Sequence, residues 1–202
     1  MSVPNEDKPK VLVALSGGVD SLATAILLKE RGYQVSAGFM KLWPGSDETK
    51  AKELADRISI PFHLFDFEEE FKREIIDSFI EAYHRGETPN PCVDCNQKIK
   101  FGLFLKEAKR LGFDLVATGH YARIIDGNIY RGRDEAKDQS YFLWRLTSDQ
   151  IKRLIFPLGD YQKKEIVDNF GINTKDSMEI CFIKDLKEFL LKHLGKKEGK
   201  IV

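Results

Sequence analysis

Short apolar runs alternate with longer amphipathic segments from residue 10 to residue 120. Short apolar runs are typical of buried strands, whereas apolar positions three and four residues apart are typical of helices. The pattern predicts strands at residues 11–15, 34–40, 62–65 and 115–117, and helices at residues 22–31, 48–58, 69–84 and 97–111. Because strands that alternate with helices favour an α/β fold, we expect a five-stranded parallel sheet flanked by helices.

The pattern changes after residue 121. Two short strand-like segments at residues 122–125 and 128–131 flank Asp126-Gly127 and predict a hairpin with a tight turn. Short helices are predicted at residues 141–144, 150–154 and 163–170, and a last helix at residues 184–194. We therefore expect an α/β domain over residues 1–135 and a small, mostly helical extension over residues 136–202.

The first strand and the first helix are joined by the sequence Ser16-Gly17-Gly18-Val19-Asp20-Ser21. Paired glycines let backbone N–H groups close around a phosphate at the positive end of the following helix. The loop lacks both the lysine of GxxxxGK[ST] and the spacing of GxGxxG, so neither of those nucleotide sites is predicted. It resembles the PP-loop, SGGxDS, of ATP pyrophosphatases, which implies ATP binding and cleavage between the α and β phosphates.

Composition narrows the class of protein. The chain has 202 residues, of which 42% are hydrophobic, and no apolar run near twenty residues long. We therefore expect a cytoplasmic protein with no membrane partner. The 32 basic and 32 acidic residues balance, so a surface that binds RNA has to be a local patch.

Three cysteines are the candidates for further chemistry. Cys92 and Cys95 precede the helix predicted at residues 97–111, with Lys98 and Lys100 nearby, and Cys181 lies far along the chain. A helix N-terminus and positive charge both lower the pKa of a thiol. Two alternatives stay open, in which the cysteines are small buried hydrophobic residues or ligands of a metal or iron–sulfur cluster.

Six motifs in order resemble those of the tRNA-uridine 2-sulfurtransferases, the MnmA-type 2-thiouridylases. They are SGGVDS at 16–21, FMK at 39–41, TPNPCVDCN at 88–96, TGHYAR at 118–123, KDQSYFL at 137–143 and ICF at 180–182. The resemblance spans nearly the whole chain and implies the Rossmann-like fold of the adenine nucleotide alpha hydrolases. It also implies ATP-dependent 2-thiolation of the wobble uridine of tRNA, in which the base is adenylated and sulfur from a cysteine persulfide then replaces AMP. The implied partners are tRNA and a persulfide sulfur-donor protein.

The resemblance also assigns roles to individual residues. Cys95 and Cys181 would be catalytic, Cys181 as the persulfide carrier and Cys95 as its disulfide partner or as the thiol that frees sulfide from it. The ATP-binding residues would be Ala14, Leu15, Ser16, Gly17, Gly18, Val19, Asp20, Ser21, Met40 and Gly119. Asn90, Pro91 and Cys92 would contact the target base, and Lys137, Asp138 and Gln139 would contact the tRNA.

Other interpretations of these residues remain. Asp20 suits Mg²⁺ as a carboxylate beside phosphates, or it caps the first helix. Asp138 is also a candidate helix cap without RNA contact. Tyr121, Tyr141, Phe142 and Trp144 either stack on bases or belong to the core, and His120 is expected to order the nucleotide pocket.

The chain departs from the family pattern in two ways. Many members have Asp in place of Cys92, and the extra thiol allows Cys92, Cys95 and Cys181 to be cluster ligands in an iron–sulfur-dependent tRNA thiolase. Members also continue into a central domain and a C-terminal β-barrel that this sequence lacks. Two alternatives from other classes are an ATP pyrophosphatase acting on a small molecule and a non-catalytic metal- or nucleotide-binding module.

Overall fold

The apolar runs form the strands of a central sheet. The structure, a computed structural model, describes residues 8–170, 181–183 and 185–195. The strands are β1 (Lys10–Ala14), β2 (Gln34–Lys41), β3 (Phe62–Asp66), β4 (Leu115–Ala117), β5 (Ala122–Ile125), β6 (Asn128–Arg131) and β7 (Leu154–Ile155).

Helices fill the connections between the strands. They are α1 (Val19–Glu30), α2 (Thr49–Arg57), α3 (Glu68–Phe71), α4 (Ser78–His84), α5 (Pro91–Asp94), α6 (Phe104–Arg110), α7 (Ser148–Ile151), α8 (Lys163–Phe170) and α9 (Leu186–Leu194). Stretches of π-helix at Lys72–Asp77 and Cys95–Leu103 join α3 to α4 and α5 to α6. Short 3₁₀ turns lie at Ser140–Leu143 and Pro157–Asp160.

The main sheet has five parallel strands in the order β3-β2-β1-β4-β7. Val13 of β1 lies opposite Ala37 of β2 on one side and Ala117 of β4 on the other. The strand order reverses between β1 and β4, and ligands of open parallel sheets bind at the carboxyl ends of the strands at such a point. The predicted α/β fold is confirmed, and the two-stranded β5–β6 hairpin also forms as predicted.

Alternation along β1 divides the core into two layers. Leu12 packs with Phe104 and the other side chains of the helices that run from α3 to α6. Val11 and Val13 pack on the opposite face, against α1 and α2. Gly38 of β2 is needed for this packing, because a Cβ there would lie 2.7 Å from the ring of Phe104.

Two predicted elements are wrong. The helix predicted from residue 97 begins at Pro91, so the Cys92 and Cys95 pair lies inside it. The helix predicted at residues 150–154 ends at Ile151, and Leu154 instead enters the edge strand β7. Ile180 of the ICF motif and the segment before it, residues 171–179, lie outside the described residues, whereas Cys181 and Phe182 are described.

The predicted extension is partly built into the α/β domain. β7 pairs with β4, and α8 packs against α1 through Ile166 and Leu27. The division at residue 135 stays a prediction. Within the described ranges, no helix combines the length and apolar character that crossing a membrane requires.

Candidate active site

A cavity of about 450 Å³ opens at the carboxyl ends of β1, β2 and β4. Seven of the predicted ATP-binding residues line it: Ala14, Leu15, Ser16, Asp20, Ser21, Met40 and Gly119. Gly17, Gly18 and Val19 are not among its lining residues. Val19 packs in the core with Leu158 and Ile166. Most of the predicted ATP-binding residues therefore lie together around this cavity.

Serine and glycine fix the shape of the phosphate loop. Gly17 has φ +83°, a left-handed conformation that glycine adopts without strain. The Ser21 hydroxyl accepts the N–H of Ser16 at 3.2 Å and donates to the carbonyl of Gly18 at 2.9 Å. Ser21 is thus a brace of the loop, while the exposed Ser16 hydroxyl faces the cavity.

Gly119 has a steric role beside the loop. A Cβ at this position would lie 2.9 Å from the backbone carbon of Asp20. The turn that follows β4 therefore rests directly on the start of α1, and only glycine permits that approach.

Asp20 holds a cation from a distant part of the chain. Its two carboxylate oxygens each lie 2.7 Å from Nζ of Lys163, the first residue of α8. The Tyr121 hydroxyl donates to the same carboxylate at 2.8 Å. The side chains of Lys163 and Asp20 are 17% and 33% exposed, so the ion pair is partly shielded from water. This pair ties α8 to the phosphate loop.

The described part of the chain does not present a set of residues that fits a resident Mg²⁺ or a cluster. Both oxygens of Asp20 are taken by Lys163. Among the residues that the structure describes, no group of three His, Cys, Asp or Glu side chains is arranged to hold a metal ion. Asp20 is an anchor of the loop in this structure rather than a metal ligand.

The expectation of thiols with a low pKa is wrong. Asn90 caps the helix through its side chain, which accepts the N–H of Cys92 at 3.1 Å. Cys95 lies one turn further in and is only 6% exposed. Burial raises the pKa of Cys95 to about 12. Desolvation outweighs the helix N-terminus at this position because the thiolate would have to form in the core.

Burial also raises the pKa of the other two thiols. None of the three cysteines takes part in a disulfide bond. Desolvation is the largest cause that raises the pKa of Cys92 and of Cys181. Cys181 is exposed overall, yet enough protein surrounds its thiol for this effect to dominate. Charge on Cys181 or Cys92 would further raise the pKa of Cys95, so the three thiols lie within electrostatic reach of one another.

Lys100 lies outside the six motifs, although the sequence placed it near the thiols as a positive charge. Its charge opposes desolvation by lowering the pKa of each of the three thiols. Lys100 lines the cavity together with Cys181. Lys98 points elsewhere, since its Nζ lies 3.1 Å from the carboxylate of Glu74. Lys100 is therefore the cation of the thiol cluster, defined as Cys92, Cys95 and Cys181.

The π-helical stretch sets the position of Lys100 relative to Cys95. Residues five apart lie on different faces of an α-helix, whose turn holds 3.6 residues. A π-helix is hydrogen-bonded from residue i to residue i+5, so Cys95 and Lys100 lie about one turn apart. The sequence placed both Lys98 and Lys100 near the thiols but gave no sign of this widened turn, so it could not tell which of the two lysines faces them.

We expect Lys100→Met to slow alkylation of Cys181 by iodoacetamide several-fold. The thiolate is the reacting form, and removing the cation raises the pKa of a thiol whose pKa is already raised. The rate should climb steadily from about pH 7 to about pH 9 in both proteins, because the thiols are mostly protonated over this range. Peptide mass spectrometry at each pH gives the rates. Lys98→Met is the matched control, and an equal effect there would contradict the role of Lys100.

His120 is a neutral part of the cavity wall. Burial lowers its pKa well below the ordinary value, and Lys100 lowers it further. Its Nδ1 lies 2.6 Å from the hydroxyl of Thr118, and its ring packs between Phe101 and Phe156. These contacts suit the expected role of ordering the pocket.

One residue of the predicted tRNA-contacting segment, residues 137–139, reaches the cavity. Gln139 lines it, and its side-chain oxygen accepts the N–H of Tyr121 at 3.1 Å. Asp138 accepts the N–H groups of Gly132 at 3.0 Å and Ser140 at 3.2 Å. Asp138 therefore orders the turn in which Gln139 lies. RNA contact by residues 137–139 stays a prediction.

A family model and curated relatives place the chain in one family of tRNA-modifying proteins. A family model described as the tRNA methyl transferase HUP domain matches residues 9–185. A curated relative from Geobacter metallireducens, named tRNA-specific 2-thiouridylase MnmA, is 45% identical over 206 residues, covering 88% of this chain and 56% of the relative. A relative of the same name from Deinococcus radiodurans is 41% identical over 217 residues, covering 95% of this chain and 57% of the relative. The chain thus spans little more than half the length of the curated relatives it matches.

A solved structure shares the fold. It is described as a predicted subunit of tRNA methyltransferase from Methanocaldococcus jannaschii. It aligns with a TM-score of 0.55 at 19% identity, covering 93% of this chain and 89% of that chain. Likeness at this identity shows the fold alone.

Proposed function

Because this chain belongs to the family described as the tRNA methyl transferase HUP domain, with close relatives named tRNA-specific 2-thiouridylase, we propose that it is a tRNA-uridine 2-sulfurtransferase. Its substrates are ATP and a tRNA with a uridine at the wobble position, and its place is the cytoplasm. The observation that carries the proposal is the cavity in which Ser16 of the phosphate loop and Cys181 are both lining residues. Nucleotide chemistry and sulfur chemistry would share one space there.

The first step is adenylation of the base. The C2 oxygen of the uridine attacks the α-phosphorus of ATP, N3 gives up its proton, and pyrophosphate leaves from the broken α–β bond. Backbone N–H groups of the loop at residues 16–18 would hold the phosphates. The step turns the poor leaving group on C2 into AMP, which a sulfur nucleophile can displace.

The second step moves sulfur. The terminal sulfur of a persulfide on Cys181 attacks C2, a carbon–sulfur bond forms and AMP leaves. The Cys95 thiolate then attacks Sγ of Cys181, breaks the sulfur–sulfur bond and releases 2-thiouridine. In the variant route Cys95 attacks first and frees sulfide, which then attacks C2. Both routes leave a Cys95–Cys181 disulfide, which an external thiol reductant reduces before a persulfide donor reloads Cys181.

Lys100 supports this step in the proposal. The thiols of Cys95 and Cys181 are protonated at rest, because burial raises the pKa of each. A cation beside them favours the thiolate at the moment of attack. The raised pKa also limits reaction with stray oxidants before the RNA is bound.

The family description mentions methyl transfer, but the residues support sulfur transfer. A PP-loop suits cleavage of ATP, and the relatives are named for thiolation. An iron–sulfur thiolase would need three converging thiolates, and the described residues offer no such ligand group. Sulfur transfer through two cysteines is therefore the function that the site supports best.

AMP release tests the proposal. The chain is incubated with ATP, with and without an unmodified tRNA that has a wobble uridine, and AMP is measured by chromatography. We expect release only with that tRNA, and a tRNA with cytidine at the wobble position serves as the control. Release that ignores the RNA would favour a small-molecule pyrophosphatase, and no release would contradict adenylation by this chain.

A further inference from the structure

A second groove lies beside the cavity and carries two exposed aromatic rings. Tyr141 and Trp144 are 65% and 63% exposed, the highest values among the large hydrophobic side chains of the described residues. Both line a groove with Asn90, Pro91, Arg85 and Arg145. We call these six residues the aromatic groove. The rings are not core residues, which settles one alternative that the sequence left open.

The rings stand on a rigid support. They flank the 3₁₀ turn Ser140–Leu143, in which Leu143 is 1% exposed. The carbonyl of Phe142 accepts the side-chain N–H of the buried Asn96 at 3.2 Å. The aromatic faces are therefore presented by an anchored turn, although exposing them forgoes the free energy of burial.

Charges in the groove are already balanced. The Arg145 guanidinium lies 5.0 Å from the centre of the Trp144 ring and bonds to Asp94 at 2.5 Å. Arg85 is bonded to Glu87 at 2.9 Å. Arginines that already form ion pairs bind phosphate weakly. Aromatic rings with a guanidinium beside them can instead stack on the uncharged face of a nucleobase. The groove thus fits nucleobases better than backbone phosphates.

The position of the groove connects it to the cavity. Asn90 and Pro91, which the resemblance assigns to the target base, line the groove. Gln139 lines the cavity, and Tyr141 follows two residues later in the groove. An RNA strand that delivers one base to the cavity would therefore carry its neighbouring bases across Tyr141 and Trp144.

We propose that Tyr141 and Trp144 form a stacking site for the unpaired bases that flank the target nucleotide. The inference rests on the proposed function, since it takes the RNA to be the same substrate. It adds a base-binding subsite outside the cavity, and it assigns the contact to stacking rather than to phosphate binding.

Fluorescence of Trp144 tests the site without ATP. The chain has two tryptophans, and Trp43→Phe leaves Trp144 as the reporter. A short RNA hairpin with an unpaired loop should quench its emission, and a fully paired RNA duplex should not. Tyr141→Ala should weaken binding of the hairpin by about fivefold to 150-fold, the range expected for one stacked base. Tyr130→Ala removes an exposed ring on β6 and should leave the affinity unchanged.

The dependence on salt concentration distinguishes base stacking from phosphate binding. The quenching should survive added salt better than the total affinity for tRNA, because stacking releases few counterions. An absence of quenching, or equal affinity of the Tyr141→Ala and Tyr130→Ala proteins, would overturn the proposal. Quenching that rises with protein concentration alone would instead indicate an interface between copies of the chain. AMP release is measured separately. Release that depends on tRNA without quenching of Trp144 would overturn only the proposed stacking site. Quenching without AMP release would overturn only the proposed function.

Discussion

The Cys181→Ser protein is expected to release AMP in the presence of tRNA but to form no 2-thiouridine. Serine cannot carry a persulfide, so the adenylated base finds no sulfur nucleophile, and product formation should fall by about 10³-fold or more. Adenylation should continue because Cys181 contributes nothing to the phosphate loop. Nucleoside analysis of digested tRNA measures the product. Intact mass of the protein after exposure to a persulfide donor measures the loaded sulfur atom.

Two other cysteines complete this experiment. Cys95→Ser should still load sulfur on Cys181 yet release little product. If the persulfide on Cys181 attacks C2 directly, the tRNA should stay attached to Cys181 through a sulfur–sulfur bond, which a reductant cleaves. Cys92→Ser is the matched control for a thiol outside the sulfur relay: it should still load sulfur on Cys181 and form 2-thiouridine, with any loss confined to the KM for tRNA. Full thiolation by Cys181→Ser would contradict the persulfide role. Equal loss in all three variants would instead favour a cluster held by all three thiols.

Breaking the pair between Asp20 and Lys163 should weaken ATP binding strongly. In Lys163→Met the carboxylate stays beside the phosphate loop without its cation and repels the incoming phosphates. The loss of one partner of a partly shielded pair should also cost about 1–2 kcal/mol of unfolding free energy. We expect Asp20→Asn to be equally destabilised and the double variant to be no worse than either single variant. Thermal unfolding without nucleotide and the KM for ATP in the AMP assay measure the two effects.

The same variants distinguish a loop anchor from a metal ligand. Lys163→Arg keeps the charge and should recover most of the ATP affinity. If Asp20 served Mg²⁺, Asp20→Asn would raise the Mg²⁺ concentration needed for AMP release while Lys163→Met would not. Additive losses in the double variant would likewise refute coupling between the two side chains.

Local sequence patterns were enough to predict most of the strands and helices. The apolar run at residues 11–15, two glycines and the apolar segment that follows them were enough to predict β1, the loop and α1. The β5–β6 hairpin was predicted at its observed bounds because Asp126-Gly127 marks a tight turn. β7 was mistaken for the end of a helix, since two residues, Leu154 and Ile155, are too few to show a strand period.

Contacts between distant segments could not be predicted. Nothing near Asp20 in the sequence indicates that Lys163 will neutralise it, because the contact depends on how α8 docks against α1. The expected low pKa of Cys95 failed because the helix begins at Pro91 and buries that thiol. Of the ten residues predicted for the nucleotide site, seven therefore line the cavity together with Cys181 and Gln139, but the contacts that set their charges were not predicted.

The tie between α8 and the phosphate loop bears on the order in which the chain is made. Asp20 and Lys163 are separated by 143 positions, so a chain emerging from the ribosome has its complete phosphate loop sequence long before the loop has its anchor. Docking of α8 then closes a contact of very long range, and contacts between residues far apart in sequence generally form slowly. Cys181 is synthesised shortly after α8. The anchored phosphate loop and Cys181, the proposed sulfur carrier, are therefore completed almost together as the chain is synthesised.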